Sequence, residues 1–224
     1  MPGFDKTQWY LADQNKSYET VIAEMELAVS KVIDGSQADS IFLAEHEDVI
    51  TAGTGTNPSE IPGDMNIIYS GRGGRLTYHG RGQRVIYPVI DLNQAPWNKD
   101  LKKYINFLHS WIIATLNEFG IYSFRREDHV GIWTKDYAKS GNNHGHKLDK
   151  KIAAIGIRAR KWVVYHGVAV NLTTNLNKYN NFTPCGISDL GVTSAEECGK
   201  VIKFTEFDET LKRYYYIEKS KVKT

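Results

Sequence analysis

The sequence predicts an α+β fold in which mixed sheets are flanked by helices. Strand-like and helix-like segments follow one another irregularly along the 224 residues, without the repeating alternation of a doubly wound parallel sheet. Two apolar segments, 151–159 and 162–172, are separated only by the corner at Arg160 and Lys161, which is typical of an antiparallel hairpin. No linker interrupts the chain, so residues 1–224 are expected to form a single domain.

Three helices are indicated by apolar residues that recur at intervals of three and four. The first begins at Tyr18, with Ser17 as the expected N-cap, and ends at Gly35. The second covers 99–119 and carries the most regular apolar stripe in the chain. The third covers 207–217, before a lysine-rich end.

Strands are predicted where short apolar runs are bounded by polar or glycine-containing segments. The segment 136–150 is polar and is expected to be a surface loop, as is 54–64 with its prolines and glycines. Besides the hairpin, the predicted strands are 40–45, 49–52, 66–69, 84–92, 121–124 and 130–134.

The composition is that of an ordinary water-soluble globular protein, with 41% apolar and 24% charged residues. The net charge of +2 gives no argument for a nucleic-acid or membrane partner. The N-terminal segment lacks the apolar core of a signal peptide, and no uncharged run has the length of a membrane helix. With only two cysteines a disulfide framework is not expected, and the sequence predicts a cytoplasmic protein.

The segment 70–92, SGRGGRLTYHGRGQRVIYPVIDL, is the most informative part of the chain. Its clustered glycines indicate unusual backbone angles or a backbone that approaches a ligand. The pattern fits neither the dinucleotide fingerprint nor a Walker A loop, because a strand follows it and no Gly-Lys-Ser/Thr closes it. A tight turn with solvated arginines, or RNA binding by the Arg-Gly-Gly triplet, stays open as an alternative. The glycines are Gly71, Gly73, Gly74, Gly80 and Gly82.

Cys185, between Pro184 and Gly186, is a candidate nucleophile, although most lone cysteines are small core residues. A thiol with its reference pKa of about 8.5 needs a nearby cation to populate the thiolate. Lys151 could supply that cation, or it could be a surface lysine whose side chain extends past an apolar strand. His79 and His166 are the other possible partners of the thiol. The pair His144 and His146 lacks further ligands at metal-binding spacing, so no metal site is expected.

Taken together, these segments resemble one family, the lipoyl(octanoyl) transferases. Three blocks carry the resemblance, and in order they cover roughly residues 8–200. They are RGGRLTYHGRGQ from Arg72 to Gln83, KIAAIGIR from Lys151 to Arg158, and HGVAVNL from His166 joined to FTPCGI from Phe182.

The resemblance implies a fold similar to the catalytic domains of lipoate and biotin protein ligases. It also implies a catalytic cysteine–lysine dyad, which falls on Cys185 and Lys151, with His79 close to it. Three segments would contact the acyl substrate. They comprise Arg72, Gly73, Gly74, Arg75, Leu76, Thr77, Tyr78 and His79; Ala153, Ala154, Ile155 and Gly156; and His166, Gly167 and Val168.

The reaction implied by the resemblance transfers octanoyl from acyl carrier protein to a lysine through a cysteine thioester. The acceptors would be lipoyl domains of 2-oxoacid dehydrogenase E2 subunits and the glycine cleavage H protein. Neither a metal nor another cofactor is expected, since the acyl group arrives on the carrier's phosphopantetheine arm. The enzyme is expected to act as a monomer, without nucleic acid or membrane.

Two positions depart from the family pattern. Arg81 stands where family members usually have proline, and its role is not evident from the sequence. The loop 136–150 is longer than expected and places Lys150 beside Lys151, although strand alternation should point the two side chains in opposite directions. An ATP-dependent lipoate or biotin ligase on the same fold is the nearest alternative. A non-catalytic acyl-binding or nucleic-acid-binding module is an alternative of another class.

Overall fold

The computed structural model describes residues 7–13, 16–63, 65–135, 149–181 and 191–223. Within them the helices are α1 (Tyr18–Ile33), α2 (Leu101–Glu118) and α3 (Phe204–Lys221). The strands are β1 (Gln8–Leu11), β2 (Ser40–Ala44), β3 (Val49–Ala52), β4 (Ile67–Tyr69), β5 (Thr77–His79), β6 (Gln83–Asp91), β7 (Ser123–Phe124), β8 (Ile132–Lys135), β9 (Asp149–Arg160) and β10 (Val163–Asn171).

A seven-stranded sheet in the order β1-β2-β6-β10-β9-β8-β7 forms the centre of the molecule. All of its pairings are antiparallel except that of β1 with β2. Because side chains alternate across a strand, the two faces bury separate apolar clusters. One cluster joins the sheet to α2 and α3, and the other joins it to α1.

A three-stranded sheet in the order β4-β3-β5 lies beside the larger one. β3 pairs with β4 in parallel and with β5 in antiparallel orientation. The short segment Arg72–Arg75 connects β4 to β5 and crosses to the large sheet, where the Gly73 amide donates to the carbonyl of Ile157 at 2.9 Å. The glycine-rich segment is thereby held between the two sheets.

The predicted helices and the hairpin are present, with shifted ends. Ser17 caps α1 by accepting a hydrogen bond from the Thr20 amide, as predicted. The hairpin corner lies one residue later than predicted, because Lys161 and Trp162 both have positive φ, of 50° and 67°. Two consecutive residues with positive φ are typical of a tight two-residue hairpin turn.

Four parts of the secondary structure differ from the prediction. β5 lies inside the segment predicted as a glycine-rich loop, because Val49–Thr51 supplies a partner for Thr77–His79 that is distant in the sequence. Asp149 and Lys150 belong to β9 and not to the preceding loop; the rest of that loop, 136–148, lies outside the described residues. β1 is also an addition, and α3 is longer than predicted at both ends.

None of the helices in the described ranges has the length and apolar character needed to cross a bilayer.

Candidate active site

A cavity of about 250 Å³ opens on the α1 side of the large sheet, between β6, β10 and β9 and the Arg72–His79 segment. Its walls include most of the substrate-contacting residues that the sequence predicts. Those that line it are Arg72, Gly74, Arg75, Thr77, His79, Lys151, Ala154, Ile155, Gly156, His166, Gly167 and Val168. Residues of the first two sequence blocks and of the HGVAVNL part of the third therefore meet at one place in the fold.

Four predicted substrate-contacting residues lie outside the lining of this cavity. Leu76 and Tyr78 alternate with Thr77 and His79, so their side chains pack into the core of the small sheet. Ala153 belongs to the main core on the α2 side of the large sheet. The amide of Gly73 is bonded to Ile157, as described above, and Gly73 holds the segment against β9.

Cys185, the predicted nucleophile, lies in 182–190, outside the described residues. The chain after that segment is bonded directly to the strand that carries Lys151. The Lys151 amide donates to the Gly191 carbonyl at 2.9 Å, and the Thr193 amide donates to the Lys151 carbonyl at 2.9 Å. Six peptide units join Cys185 to Gly191, a contour of at most about 22 Å.

Lys151 lies near the β8 side of the cavity with only 7% of its surface exposed. Its ammonium group is 4.9 Å from the ring centre of Trp133, which is buried in β8. A cation over an aromatic face is attracted by the ring quadrupole, so Trp133 helps to fix the position of the lysine. The neighbouring Lys150 is half-buried and is not part of the cavity wall.

His79 forms part of the opposite wall, and a buried network of polar groups holds its ring. Its Nδ1 is 2.7 Å from Oε1 of Gln83, and its ring lies 6.2 Å from the Tyr18 ring and 6.0 Å from the His46 ring. Burial lowers the pKa of His79 to about 3, and the charges of His46 and Arg72 act in the same direction. His79 is therefore neutral at physiological pH.

The backbone at His166 and Gly167 departs from regular β structure. His166 has a φ of 59°, and the pairing of β10 with β6 is interrupted at residues 165–167, where β6 carries Pro88, which has no amide hydrogen to donate to the sheet. Strand alternation would put His166 on the α2 side with Val164 and Val168. Instead its ring stacks on Tyr165 at 5.3 Å and reaches the cavity. Such strain is common at functional sites.

Arg72 places a buried guanidinium against the cavity. Its Nη2 donates to the carbonyl and the hydroxyl of Thr51 at 2.9 and 2.8 Å, and its Nη1 donates to the Gly73 carbonyl at 3.0 Å. Burial, reinforced by the charges of Arg72 and Arg158, lowers the pKa of His166 to about 4. The cavity thus combines the cations Arg72 and Lys151 with neutral imidazoles.

Six residues of the cavity wall were missed by the sequence analysis. Tyr87 lies in β6, where its ring is 6.4 Å from the ring of His166, a proximity that only the folded structure reveals. Asp128 lies at the rim, where hydrogen bonds from Arg126 hold its pKa at about 2. The six are Tyr18, Tyr87, Asp128, His129, Val130 and Ala169. The aromatic and acidic members carried no local signal that separates them from core or surface residues.

Arg81 has a structural role in this fold. Its guanidinium forms ion pairs with Glu47 and, at 3.7 Å, with Glu45, both in the turn between β2 and β3. The following amide, that of Gly82, donates to Glu45 at 2.8 Å. Arg81 thus connects the turn after β5 to the turn between β2 and β3. It does not line the cavity.

Metal ligands do not cluster in the described part of the chain: it holds no group of three or more His, Cys, Asp or Glu side chains placed to bind an ion. His144 and His146 lie outside it.

Comparison with known proteins gives a consistent assignment. Residues 17–215 match the family described as the lipoyl protein ligase A/B catalytic domain. An octanoyltransferase of Rickettsia bellii is 45% identical over 196 residues, which cover 87% of this chain and 90% of that protein. An octanoyltransferase of Rickettsia peacockii is 44% identical over 200 residues, with the same coverage of both chains.

Solved structures share the fold at much lower identity. A structure of the bipartite lipoate protein ligase system of Thermoplasma acidophilum superposes with a TM-score of 0.68 at 14% identity, over 95% of this chain and 83% of that one. The biotin protein ligase of Aquifex aeolicus, solved with biotin and ATP, gives a TM-score of 0.53 at 14% identity, over 98% and 72% of the two chains. The α+β prediction and the predicted similarity to ligase catalytic domains are confirmed.

Proposed function

Because this chain belongs to the lipoyl protein ligase A/B catalytic domain family, and within it to the octanoyltransferases, we propose that it moves octanoyl from acyl carrier protein to lipoyl domains. The chain is an acyltransferase, and octanoyl transfer serves protein lipoylation. The donor, the acceptor and the route through a cysteine thioester are the finer parts of the proposal.

In the first step the Cys185 thiolate attacks the carbonyl carbon of the carrier thioester. The bond to the carrier sulfur breaks, and the departing thiolate takes a proton from the ammonium of Lys151. The products are an S-octanoyl enzyme and the free carrier thiol. Lys151 supports this step because its charge borders the cavity and the chain that follows Cys185 is bonded to its backbone.

In the second step the neutral amine of an acceptor lysine attacks the acyl-enzyme. The carbon–sulfur bond breaks, an amide forms, and the proton released by the amine returns to Lys151. This restores the thiolate–ammonium pair. The exchange of one thioester for another is close to isoenergetic, and the conversion of the thioester to an amide is downhill, so the overall transfer needs neither ATP nor a metal to drive it.

The walls of the cavity suit a medium-length alkyl chain. Ala154, Ile155 and Val168 supply apolar surface, and Gly156 and Gly167 border the same cavity. Burial of about seven methylene and methyl groups at about 0.8 kcal/mol each contributes roughly 5 kcal/mol before entropy costs. This is enough to distinguish octanoyl from a short acyl group.

The observation that carries the proposal is the meeting of the first two family blocks and the HGVAVNL part of the third around one cavity with a buried lysine. The test is transfer from octanoyl-acyl carrier protein to a purified lipoyl domain without ATP, followed by intact mass spectrometry. We expect one octanoyl group on the acceptor lysine. Transfer that requires ATP and free octanoate would identify a ligase instead, and RNA retention without transfer would identify a binding module.

A further inference from the structure

Gln83 lies behind His79, where its amide is within hydrogen-bond distance of four polar groups while only 1% of its surface is exposed. We propose that Gln83 is a positioning residue that holds His79 in one tautomer, with the proton on Nδ1 and the lone pair on Nε2. The spectroscopic part of this inference is independent of the proposed function. The part that concerns turnover rests on it.

Two backbone carbonyls determine which way the amide of Gln83 points. Its Nε2 is 3.2 Å from the Tyr78 carbonyl oxygen, and a carbonyl can only accept, so a donor must face it. Nε2 is also 2.9 Å from Oδ1 of Asn171. The orientation of Asn171 is fixed in turn, because its Nδ2 donates to the Thr193 carbonyl at 3.0 Å. A flipped Gln83 would place oxygen against oxygen at both contacts.

The orientation of Gln83 decides the tautomer of His79. With Nε2 of Gln83 directed at Tyr78 and Asn171, Oε1 is the atom that lies 2.7 Å from Nδ1 of His79. An amide oxygen only accepts, so Nδ1 carries the hydrogen. The neutral ring then keeps its lone pair on Nε2, which is its remaining polar atom beside the cavity.

The tautomer sets what His79 can do during the reaction. Nε2 with a lone pair accepts a hydrogen bond from an N–H group, such as the acceptor amine as it attacks the acyl-enzyme. The opposite tautomer would present an N–H donor at Nε2. That donor would bond to the lone pair of the acceptor amine, which the amine needs in order to attack the thioester. Through Asn171 and Thr193 the same network reaches the backbone of Lys151, so Gln83 ties the two walls of the cavity together.

The test is nitrogen NMR of the imidazole rings in the full-length protein labelled with ¹⁵N-histidine, with His79 assigned from the spectrum of His79→Gln. We expect His79 of the wild type to show a protonated Nδ1 and an unprotonated Nε2 at neutral pH. A wild-type His79 protonated on Nε2 would overturn the proposal, and this result needs no substitution at Gln83 and no substrate.

Gln83→Met keeps the length of the side chain and removes both polar atoms. We expect it to shift His79 to the Nε2-protonated tautomer and to lower kcat/KM for transfer by roughly 10- to 100-fold. Gln37→Met is the matched control, because Gln37 donates to Ser40 and has no contact with the network. If Gln83→Met folds and retains the Nδ1-protonated ring, Gln83 does not set the tautomer.

Tyr179→Phe provides a second variant in case Gln83→Met fails to fold. It removes the hydroxyl that accepts from Gln83 at 3.1 Å but leaves the Tyr78 carbonyl in place. We expect the tautomer of His79 to be unchanged, because the Tyr78 carbonyl and Asn171 still fix the orientation of the Gln83 amide. A change of tautomer in this variant would contradict the argument from the carbonyl.

Discussion

At the scale of single residues, burial determines the chemistry of the cavity. Three histidines in or next to it, His46, His79 and His166, have their pKa lowered chiefly by desolvation, and the cations Arg72, Arg75 and Lys151 border the same cavity. Neutral imidazoles serve as hydrogen-bonding groups, which leaves Lys151 as the group suited to stabilise a thiolate. We therefore assign the proton transfers to Lys151 and not to a histidine.

Lys151→Ala should slow octanoyl transfer by at least about 100-fold at neutral pH, as expected for loss of a group that moves protons. Lys150→Ala is the matched control, because Lys150 is the adjacent strand residue and does not border the cavity. The measurement is the initial rate of lipoyl-domain modification by mass spectrometry. Equal losses in the two variants would show that the assignment of the lysine is wrong.

At the scale of elements, local patterns predict the helices and the central strands, and they fail where pairing is long-range. α1, α2 and the β9–β10 hairpin follow from periodicity, caps and turn position. β5 does not, since its three residues lie among glycines and gain their partner from Val49–Thr51. The site shows the same division: family blocks identify Lys151 and His79, whereas Tyr87 and Gln83 become evident only from their contacts in the folded structure.

The irregular element at His166 and Gly167 is required by close packing against β6. A Cβ atom on Gly167 would lie 2.3 Å from the Ile86 carbonyl oxygen and 2.5 Å from Cδ of Pro88. Gly167→Ala should therefore lower the free energy of unfolding by about 2 kcal/mol or more, because backbone and a ring cannot move aside easily. Urea denaturation followed by circular dichroism measures this change.

Gly63→Ala serves as the control for that substitution, since a Cβ atom there meets nothing within 4 Å. We expect it to change the free energy of unfolding by less than about 0.5 kcal/mol. Similar effects of the two substitutions would mean that β6 and β10 are less tightly packed than described.

At the scale of the whole molecule, the burial of several histidines makes the free energy of unfolding depend on pH. The folded pKa values of His46, His79 and His166 are about 4, 3 and 4, against about 6.5 when unfolded. Below pH 6.5 the unfolded chain binds more protons at these sites. Their contribution to stability is therefore complete above that pH and is lost as the pH falls.

From pH 7 to pH 5 each of these histidines should remove about 2 kcal/mol from the free energy of unfolding. Asp208, which burial beside Arg84 leaves with a pKa raised to about 6, opposes this by about 1 kcal/mol, because the folded chain binds its proton first. Urea titrations across this range measure the net loss, and His46→Gln should reduce its slope. Stability that stays constant down to pH 5 would contradict the buried, neutral histidines.

The central claim is that octanoyl passes through a thioester on Cys185, and trapping the acyl-enzyme tests it most directly. The protein is mixed with octanoyl-acyl carrier protein in the absence of acceptor, and the adduct is located by intact and peptide mass spectrometry. We predict one octanoyl group on Cys185 in the wild type and in Cys198→Ala, and none in Cys185→Ala. Octanoylation of Cys185→Ala to the wild-type extent would contradict the account.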